Sequence, residues 1–338
     1  MTTYRAWAAP RPGAVLEPFE YDPGPLGAEE VEITVEHCGI CHSDLSMLDN
    51  AWGFTQYPFV PGHEAVGRVT AMGANAKGVV IGQRVGLGWN AYSCLHCDPC
   101  LAGNQHLCRE VQPTLAGRHG AFADKVRAHW VWVVPLPEGL DAAESGPLLC
   151  GGITVFAPLL ELGISPTARV GVIGIGGLGH MALKFCRAWG CEVTAFTSSA
   201  AKEEEARACG AHRVVATGDA EALQALAGSL DLIIDTVNVA LDWNGLLNAL
   251  APKGRLHVVG AVLEPIAVSV FPLLSGQRSI SGSPTGSRGA IDTMLDFAAR
   301  HGVAPQTEHF PMSRANEALD RLRAGKARYR IVLDADFD

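Results

Sequence analysis

The sequence predicts an α/β chain in two parts, an N-terminal β-rich domain and a doubly wound parallel sheet. Three observations carry this expectation. Up to about Pro137, short β-type runs are separated by Gly and Pro, the texture of a small barrel or partly open sheet. From about Ile153 onward, strand-type and helix-type segments alternate, the pattern of a parallel sheet covered by helices. The length of 338 residues exceeds what one core usually organises, so two domains are expected.

The first part, residues 1–152, alternates over Glu30–Glu36 and continues through strand-like runs at Glu64–Ala71, Gln83–Leu87 and Ala123–Pro135. The second, residues 153–288, offers strands at Val170–Ile173, Glu192–Phe196, Arg213–Val215, Leu230–Asp235, Arg255–Val259 and Ser279–Ser281, with helix-like segments between most of them. Residues 289–338 supply helices over Ala290–His301 and Ser313–Arg323 and a closing strand, Tyr329–Leu333. This last segment is expected to complete the first domain, which makes the parallel sheet an insertion.

The stretch Arg169–Gly179 reads Arg-Val-Gly-Val-Ile-Gly-Ile-Gly-Gly-Leu-Gly. Val170, Val172 and Ile173 form a short buried strand by pattern, and Leu178, Met181, Ala182 and Phe185 then recur at helical spacing. Gly174, Gly176 and Gly179 therefore sit in a strand-to-helix turn and fit G-x-G-x-x-G: tight turn, close approach of a pyrophosphate, close helix packing. A Rossmann-type dinucleotide site is expected, with Gly174, Gly176, Gly177, Leu178 and Gly179 against the phosphates at the helix N-terminus. A domain of this kind that selects NAD ends its second strand on Asp or Glu. Here that strand ends Ala195-Phe196-Thr197-Ser198-Ser199, with Lys202 close behind. No carboxylate repels a 2′-phosphate, and the hydroxyls of Thr197, Ser198 and Ser199 with the Lys202 ammonium can accept one. NADP(H) is the expected cofactor, and helix capping by Ser198 and Ser199 is compatible with it.

A net charge of −9 argues against general affinity for nucleic acid or anionic membrane. The longest apolar runs are broken by Gly, Pro or charge, and Met1-Thr-Thr-Tyr-Arg-Ala-Trp7 has no apolar leader, so the cytoplasm is the expected compartment. Ten cysteines in such a chain point to metal or catalysis rather than a disulfide framework.

Those cysteines fall into two sets and a remainder. Cys94, Cys97, Cys100 and Cys108 are spaced C-x2-C-x2-C-x7-C, which suits a closed tetrahedral zinc site holding a loop; iron–sulfur clusters use other common spacings. His96 and His106 lie nearby, but four sulfurs complete the shell, so both are expected in solvent. The second set is scattered, Cys41, the pair His63-Glu64 and Cys150, and spacing alone does not find it because its members lie far apart. Two sulfurs and one imidazole nitrogen leave a fourth position open, as a catalytic zinc requires. Taken singly, Cys150 reads equally as a core thiol and His63 as a turn residue. Cys186, Cys191 and Cys209 read as buried thiols.

Cys38-Gly-Ile-Cys-His-Ser-Asp44, Pro61-Gly-His-Glu64, the four-cysteine loop and the glycine turn occur in this order along the chain. In that combination the sequence resembles the zinc-containing medium-chain alcohol dehydrogenases, within them the cinnamyl alcohol dehydrogenase branch and its bacterial broad-range NADPH-dependent aldehyde reductases. The likeness covers essentially the whole chain.

The resemblance implies a GroES-like catalytic domain, a homodimer paired through nucleotide-domain edge strands, and two zinc ions per chain, one catalytic and one structural. It implies catalytic zinc on Cys41, His63 and Cys150, with Glu64 beside it as a transient ligand. Ser43 occupies the proton-relay position, and Asp44 that of the carboxylate orienting His63. Where the family often carries a histidine at the outer end of the relay, this chain has Ser46, with water the substitute acceptor. His42 and Arg330 match positions that contact cofactor phosphate, and Thr154 a nicotinamide contact; for Arg330 a surface role near the closing strand reads nearly as well. Cys38 and His37 take structural roles. Trp52 and Trp89 flank zinc-binding segments and can form an apolar wall, or equally core. The activity implied is reversible NADPH-dependent reduction of aliphatic and aromatic aldehydes to primary alcohols. The alternatives are an NAD(P)-dependent secondary-alcohol or polyol dehydrogenase and, outside enzymes, a zinc-binding or redox-sensing module.

Overall fold

The structure, a computed structural model, describes residues 3–198 and 200–337. Its contacts divide the chain into two compact units, 1–153 with 286–338, and 154–285.

The first unit is built on a seven-stranded sheet. In order across it run Thr307–Pro311, Arg330–Asp334, Glu30–Ile40, Ala65–Met72, Arg84–Leu87 and Val133–Pro135, with Lys125–His129 also pairing Glu30–Ile40. The long central strand shows why its sequence extends. Val31, Ile33 and Val35 enter the core at 3% exposure or less, while Glu36 on the opposite side receives Arg68 and Arg84 from the next two strands at 2.9 and 3.0 Å, cross-strand pairing of the kind that stabilises a half-buried sheet. Glu32 is the exception, a buried carboxylate held by the Tyr4 hydroxyl, Lys125 and Arg127. Cys38, Gly39 and Ile40 are buried in succession, so the strand dives into the core before it turns. At Cys41 it stops: Asp44 accepts the Cys41 backbone N–H at 2.8 Å and starts the helix His42–Leu48, a carboxylate-capped beginning.

One expected strand is divided. The run Ala123–Pro135 forms the strands Lys125–His129 and Val133–Pro135 around a 3-10 turn, Trp130–Trp132. His129 Nδ1 accepts the N–H of Val131 and caps that turn, Trp132 is buried, and the chain passes from pairing Glu30–Ile40 to pairing Arg84–Leu87.

The second unit is a six-stranded parallel sheet in the order Arg213–Ala216, Glu192–Thr197, Arg169–Ile173, Leu230–Asp235, Leu250–Val258, Ser279–Gly282. Numbered along the chain this is 3-2-1-4-5-6, the doubly wound dinucleotide-binding order. Val170, Val172, Val193, Ala195, Leu232, Ile233 and Ile234 are all at 0% exposure, the near-continuous apolar runs of strands covered on both faces. No single helix among the described residues is long and apolar enough to cross a membrane.

Candidate active site

In the first unit, residues far apart in sequence converge. Cys41 sits between the central strand and the helix His42–Leu48, His63 and Glu64 precede the strand Ala65–Met72, and Cys150 separates the 3-10 turn Gly146–Leu149 from the helix Gly151–Glu161. All four are buried, and one ligand atom from each lies within 4.8 Å of the others. The two sulfurs are 3.9 Å apart, and His63 Nε2 is 3.2 Å from Cys150 Sγ. Metal–sulfur bonds of about 2.3 Å at tetrahedral angles put two sulfurs roughly 3.8 Å apart. The donor set therefore fits zinc, with Cys41, His63 and Cys150 converging and the Glu64 carboxylate beside them.

Asp44 fixes this geometry. Fully buried, its carboxylate accepts the backbone N–H groups of Cys41 and Gly62 at 2.8 and 2.9 Å and meets His63 Nδ1 at 3.1 Å. A carboxylate on Nδ1 leaves Nε2 as the nitrogen facing the cluster. The Cys41 thiol is held well below its ordinary value, chiefly by the hydrogen bond it accepts from Cys150 and against burial, with help from Arg330 and His63. Burial pushes the Glu64 carboxyl up, against the nearby Arg330.

Arg330 joins this cluster. It is 3% exposed and pairs with Glu64, so it is no surface arginine, and in this structure its charge serves the cluster. Sequence reasoning missed the pair because a separation of 266 residues leaves no local signal. Ser43 is half-buried, with its hydroxyl 3.7 Å from Cys41 Sγ; Ser46 is half-buried and His42 exposed. His37 pairs with Asp334 at 2.7 Å, and Cys38 is buried with its thiol on the Gly39 carbonyl. Cys186, Cys191 and Cys209 are buried too.

An aromatic file leads away from His63. Trp89 meets the His63 ring edge-on at 4.9 Å, Trp52 meets Trp89 at 6.2 Å, and Phe54 stacks on Trp52 at 6.0 Å. Both tryptophans are half-buried, neither wholly core nor wholly surface, and Phe54 is 54% exposed. Phe54 is the member the sequence did not reveal, since a lone aromatic in a loop has no periodic pattern to mark it.

Cys94, Cys97, Cys100 and Cys108 form the second cluster, again with Sγ atoms within 4.8 Å of one another. Cys97 and Cys108 are 3.8 Å apart, and Cys108 Sγ accepts the backbone N–H groups of Cys94 and Glu110 at 3.3 Å. Four convergent sulfurs fit a closed tetrahedral zinc site. His96 is exposed. His106 corrects the expectation of a solvated loop residue: the 3-10 turn Gln105–Leu107 packs it inward, at 7% exposure, and burial pushes its pKa down.

In the second unit each glycine of the turn has its own physical cause. Gly174 has φ +89°, Gly176 faces open space, and a Cβ on Gly179 would lie 1.8 Å from the Gly174 carbonyl oxygen. Turn, approach and close packing are thus divided among the three, and the helix Gly179–Trp189 follows directly. Gly177 and Leu178 lie within this turn. Lys202 Nζ donates to the Ile175 carbonyl at 2.9 Å, which brings its charge to the same turn. Thr197 is buried at the end of its strand and Ser198 is exposed; Ser199 lies outside the described residues. Thr154 donates to the Pro284 carbonyl at 3.3 Å.

Comparison with known proteins agrees with this geometry. Residues 27–138 match the alcohol dehydrogenase GroES-like domain and residues 177–300 the zinc-binding dehydrogenase domain. Aldehyde reductase AdhA of Synechocystis sp. is 55% identical over 97% of this chain and 98% of its own length. Cinnamyl alcohol dehydrogenase 2 of Rauvolfia serpentina is 40% identical over 97% and 94%. Among solved structures, the cinnamyl alcohol dehydrogenase SbCAD4 of Sorghum bicolor superposes with a TM-score of 0.94 at 37% identity, covering 98% of both chains. The Helicobacter pylori CAD complexed with NADP(H) gives 0.90 at 29%, again covering 98% of both. A closed four-cysteine loop, a buried three-ligand cluster and a doubly wound nucleotide unit thus meet in one chain, which belongs to the zinc-binding alcohol dehydrogenases, in their cinnamyl alcohol dehydrogenase branch.

Proposed function

We propose that this chain is a broad-range NADPH-dependent aldehyde reductase, acting reversibly on aliphatic and aromatic aldehydes to give primary alcohols. The observation that carries the reading is the buried cluster of Cys41, His63 and Cys150, three metal ligands with the Glu64 carboxylate beside them paired to Arg330. Its donor set suits zinc, and Cys94, Cys97, Cys100 and Cys108 suit a second, purely structural ion. When bound, zinc supplies a Lewis acid for the aldehyde oxygen and the reduced nicotinamide supplies hydride.

The chain's own residues do the rest. Asp44 holds the imidazole of His63 in the ligating tautomer. Cys41 and Cys150 as thiolates offset the charge of a dication. Trp89, Trp52 and Phe54 offer flat apolar surface beside that position, suited to an alkyl or aryl group. Ser43, its Oγ 3.7 Å from Cys41 Sγ, passes a proton to the product oxygen, with Ser46 beyond it on the same short helix, and His42 contacts the cofactor phosphate. Gly174, Gly176, Gly177, Leu178 and Gly179 receive the pyrophosphate, Thr154 contacts the nicotinamide, and Ser198 and Lys202 take the 2′-phosphate. The preference for NADP(H) is supported by the missing carboxylate after Thr197 and by Lys202 at the glycine turn.

A homodimer is supported by the sheet edge at Ser279–Gly282, beside the helix Val270–Gly276 with Phe271 and Leu274 exposed at 77% and 66%, surface that another copy would cover. The cytoplasm remains the proposed compartment. The activity is tested by following NADPH and NADH oxidation over a panel of aldehydes. Turnover with NADPH and aldehydes is expected; NAD-dependent oxidation of polyols and secondary alcohols as the dominant activity would replace this reading with the polyol alternative.

A further inference from the structure

Glu64 is the one carboxylate in the three-ligand cluster, and half of it is unaccounted for. Oε1 pairs with Arg330, while Oε2 is buried without a hydrogen-bond partner among the described residues. A buried, unpaired carboxylate oxygen is costly, so its position needs a cause. The sheet supplies one. Arg330 opens the strand on one side of Glu30–Ile40, and Glu64 immediately precedes the strand on the other. Their main chains are thus two strand spacings apart, about 10 Å, and the ion pair has to pass over the strand between them.

At that crossing stands Gly39. A Cβ there would lie 2.0 Å from Glu64 Oε2, 3.0 Å from Glu64 Cβ and 3.1 Å from Glu64 Cδ. Gly39 lies outside the left-handed region, so alanine adds a methyl group and no backbone strain. Nor can the main chain move aside. The Gly39 N–H donates to the Glu64 carbonyl at 3.0 Å, Gly39 pairs with Val332 on its other side, and Gly146 packs so tightly on the Glu64 carbonyl that its own Cβ would fall 2.5 Å from that oxygen. A side chain at position 39 must therefore displace the Glu64 carboxylate. One Glu64 carboxylate oxygen already lies within 4.8 Å of the ligand atoms of Cys41, His63 and Cys150, so a carboxylate pushed off Gly39 has those ligand positions beside it.

We propose that Gly39 is a positioning residue for the metal site: its bare Cα is the notch that holds Glu64 back beside Arg330 and keeps the fourth coordination position open. The inference rests on the proposed catalytic metal site, and the experiment separates the two. The full-length protein is loaded with Co2+, and imidazole binding at the open position is read from the cobalt visible spectrum for wild type, Gly39→Ala and Gly39→Ala with Glu64→Asp. A wild-type spectrum insensitive to imidazole sinks the open-site reading itself. With wild type responding, Gly39→Ala is expected to weaken imidazole binding at least about tenfold, in the range seen when groups around a metal site are altered. The double variant, its carboxylate one methylene shorter, is expected to recover the response. Wild-type imidazole affinity in Gly39→Ala overturns the proposal, as does a double variant no better than the single one. Should Gly39→Ala fail to fold, recovery of a folded, imidazole-responsive protein in the double variant supports the notch, and continued failure overturns it.

Discussion

The two cysteine clusters differ in how the chain builds them. Cys94, Cys97, Cys100 and Cys108 come from one loop, and two backbone N–H groups support Cys108. Cys41, His63 and Cys150 come from three separate segments, and side chains support them: Asp44 on His63, Arg330 on Glu64. The loop cluster spends four sulfurs and closes. The other brings three ligands together beside the Glu64 carboxylate, which pairs with Arg330. A local cluster needs only the loop to close, whereas the dispersed one needs the whole first unit folded, including the strand that carries Arg330.

That contrast can be broken by substitution. Cys150→Ala removes a ligand from the open cluster alone and is expected to lower kcat/KM for aldehyde reduction on the order of 10³-fold or more, the scale of losing a Lewis acid worth several kcal/mol. Steady-state kinetics on folded protein check this, and the four-cysteine metal should remain.

Burial with no metal nearby should behave differently. Asp235 in the second unit is fully buried, and burial pushes its pKa up to about 6. The native state therefore binds its proton more tightly than the unfolded state, and the stability this contributes falls as pH rises from about 4 through 6. Asp235→Asn is expected to remove that loss, gaining about 2 kcal/mol on wild type between pH 4 and 7, as urea unfolding at the two pH values would read. His257, pushed down to about 4 by burial with both ring nitrogens on serine hydroxyls, has the opposite sign: its contribution is lost as pH falls from about 6.5 through 4.

Smaller effects sharpen the comparison. Asp44→Asn should cost the open cluster roughly 10- to 100-fold in metal affinity without touching the loop, as competition with a chelator would show. Lys202→Ala is expected to raise the KM for NADPH roughly tenfold, the worth of one charge-assisted bond, with the KM for NADH unchanged.

Legibility followed the same division. The four-cysteine spacing and the glycine turn are local patterns, and the structure brings their residues together as the spacing implies. The strands of the second unit were readable because strands covered on both faces are nearly continuous apolar runs. The dispersed cluster was legible only through family resemblance, because nothing in Cys150 or His63 taken singly separates a ligand from a core residue. Arg330 beside Glu64, the Gly39 notch and Phe54 on Trp52 were not legible, since each depends on which strands or loops become neighbours. His106 was misjudged because a 3-10 turn, invisible to spacing, turned it inward.

The most direct test measures zinc content and NADPH-dependent aldehyde turnover on the same preparations of wild type, Cys41→Ala and Cys97→Ser. Each variant is expected to hold one zinc fewer than wild type. Cys41→Ala should lose turnover while melting close to wild type, and Cys97→Ser should turn over when freshly prepared yet melt lower. Near-wild-type turnover in Cys41→Ala, or equal loss of activity in both variants at full folding, would contradict the division of labour between an open catalytic cluster and a closed structural one.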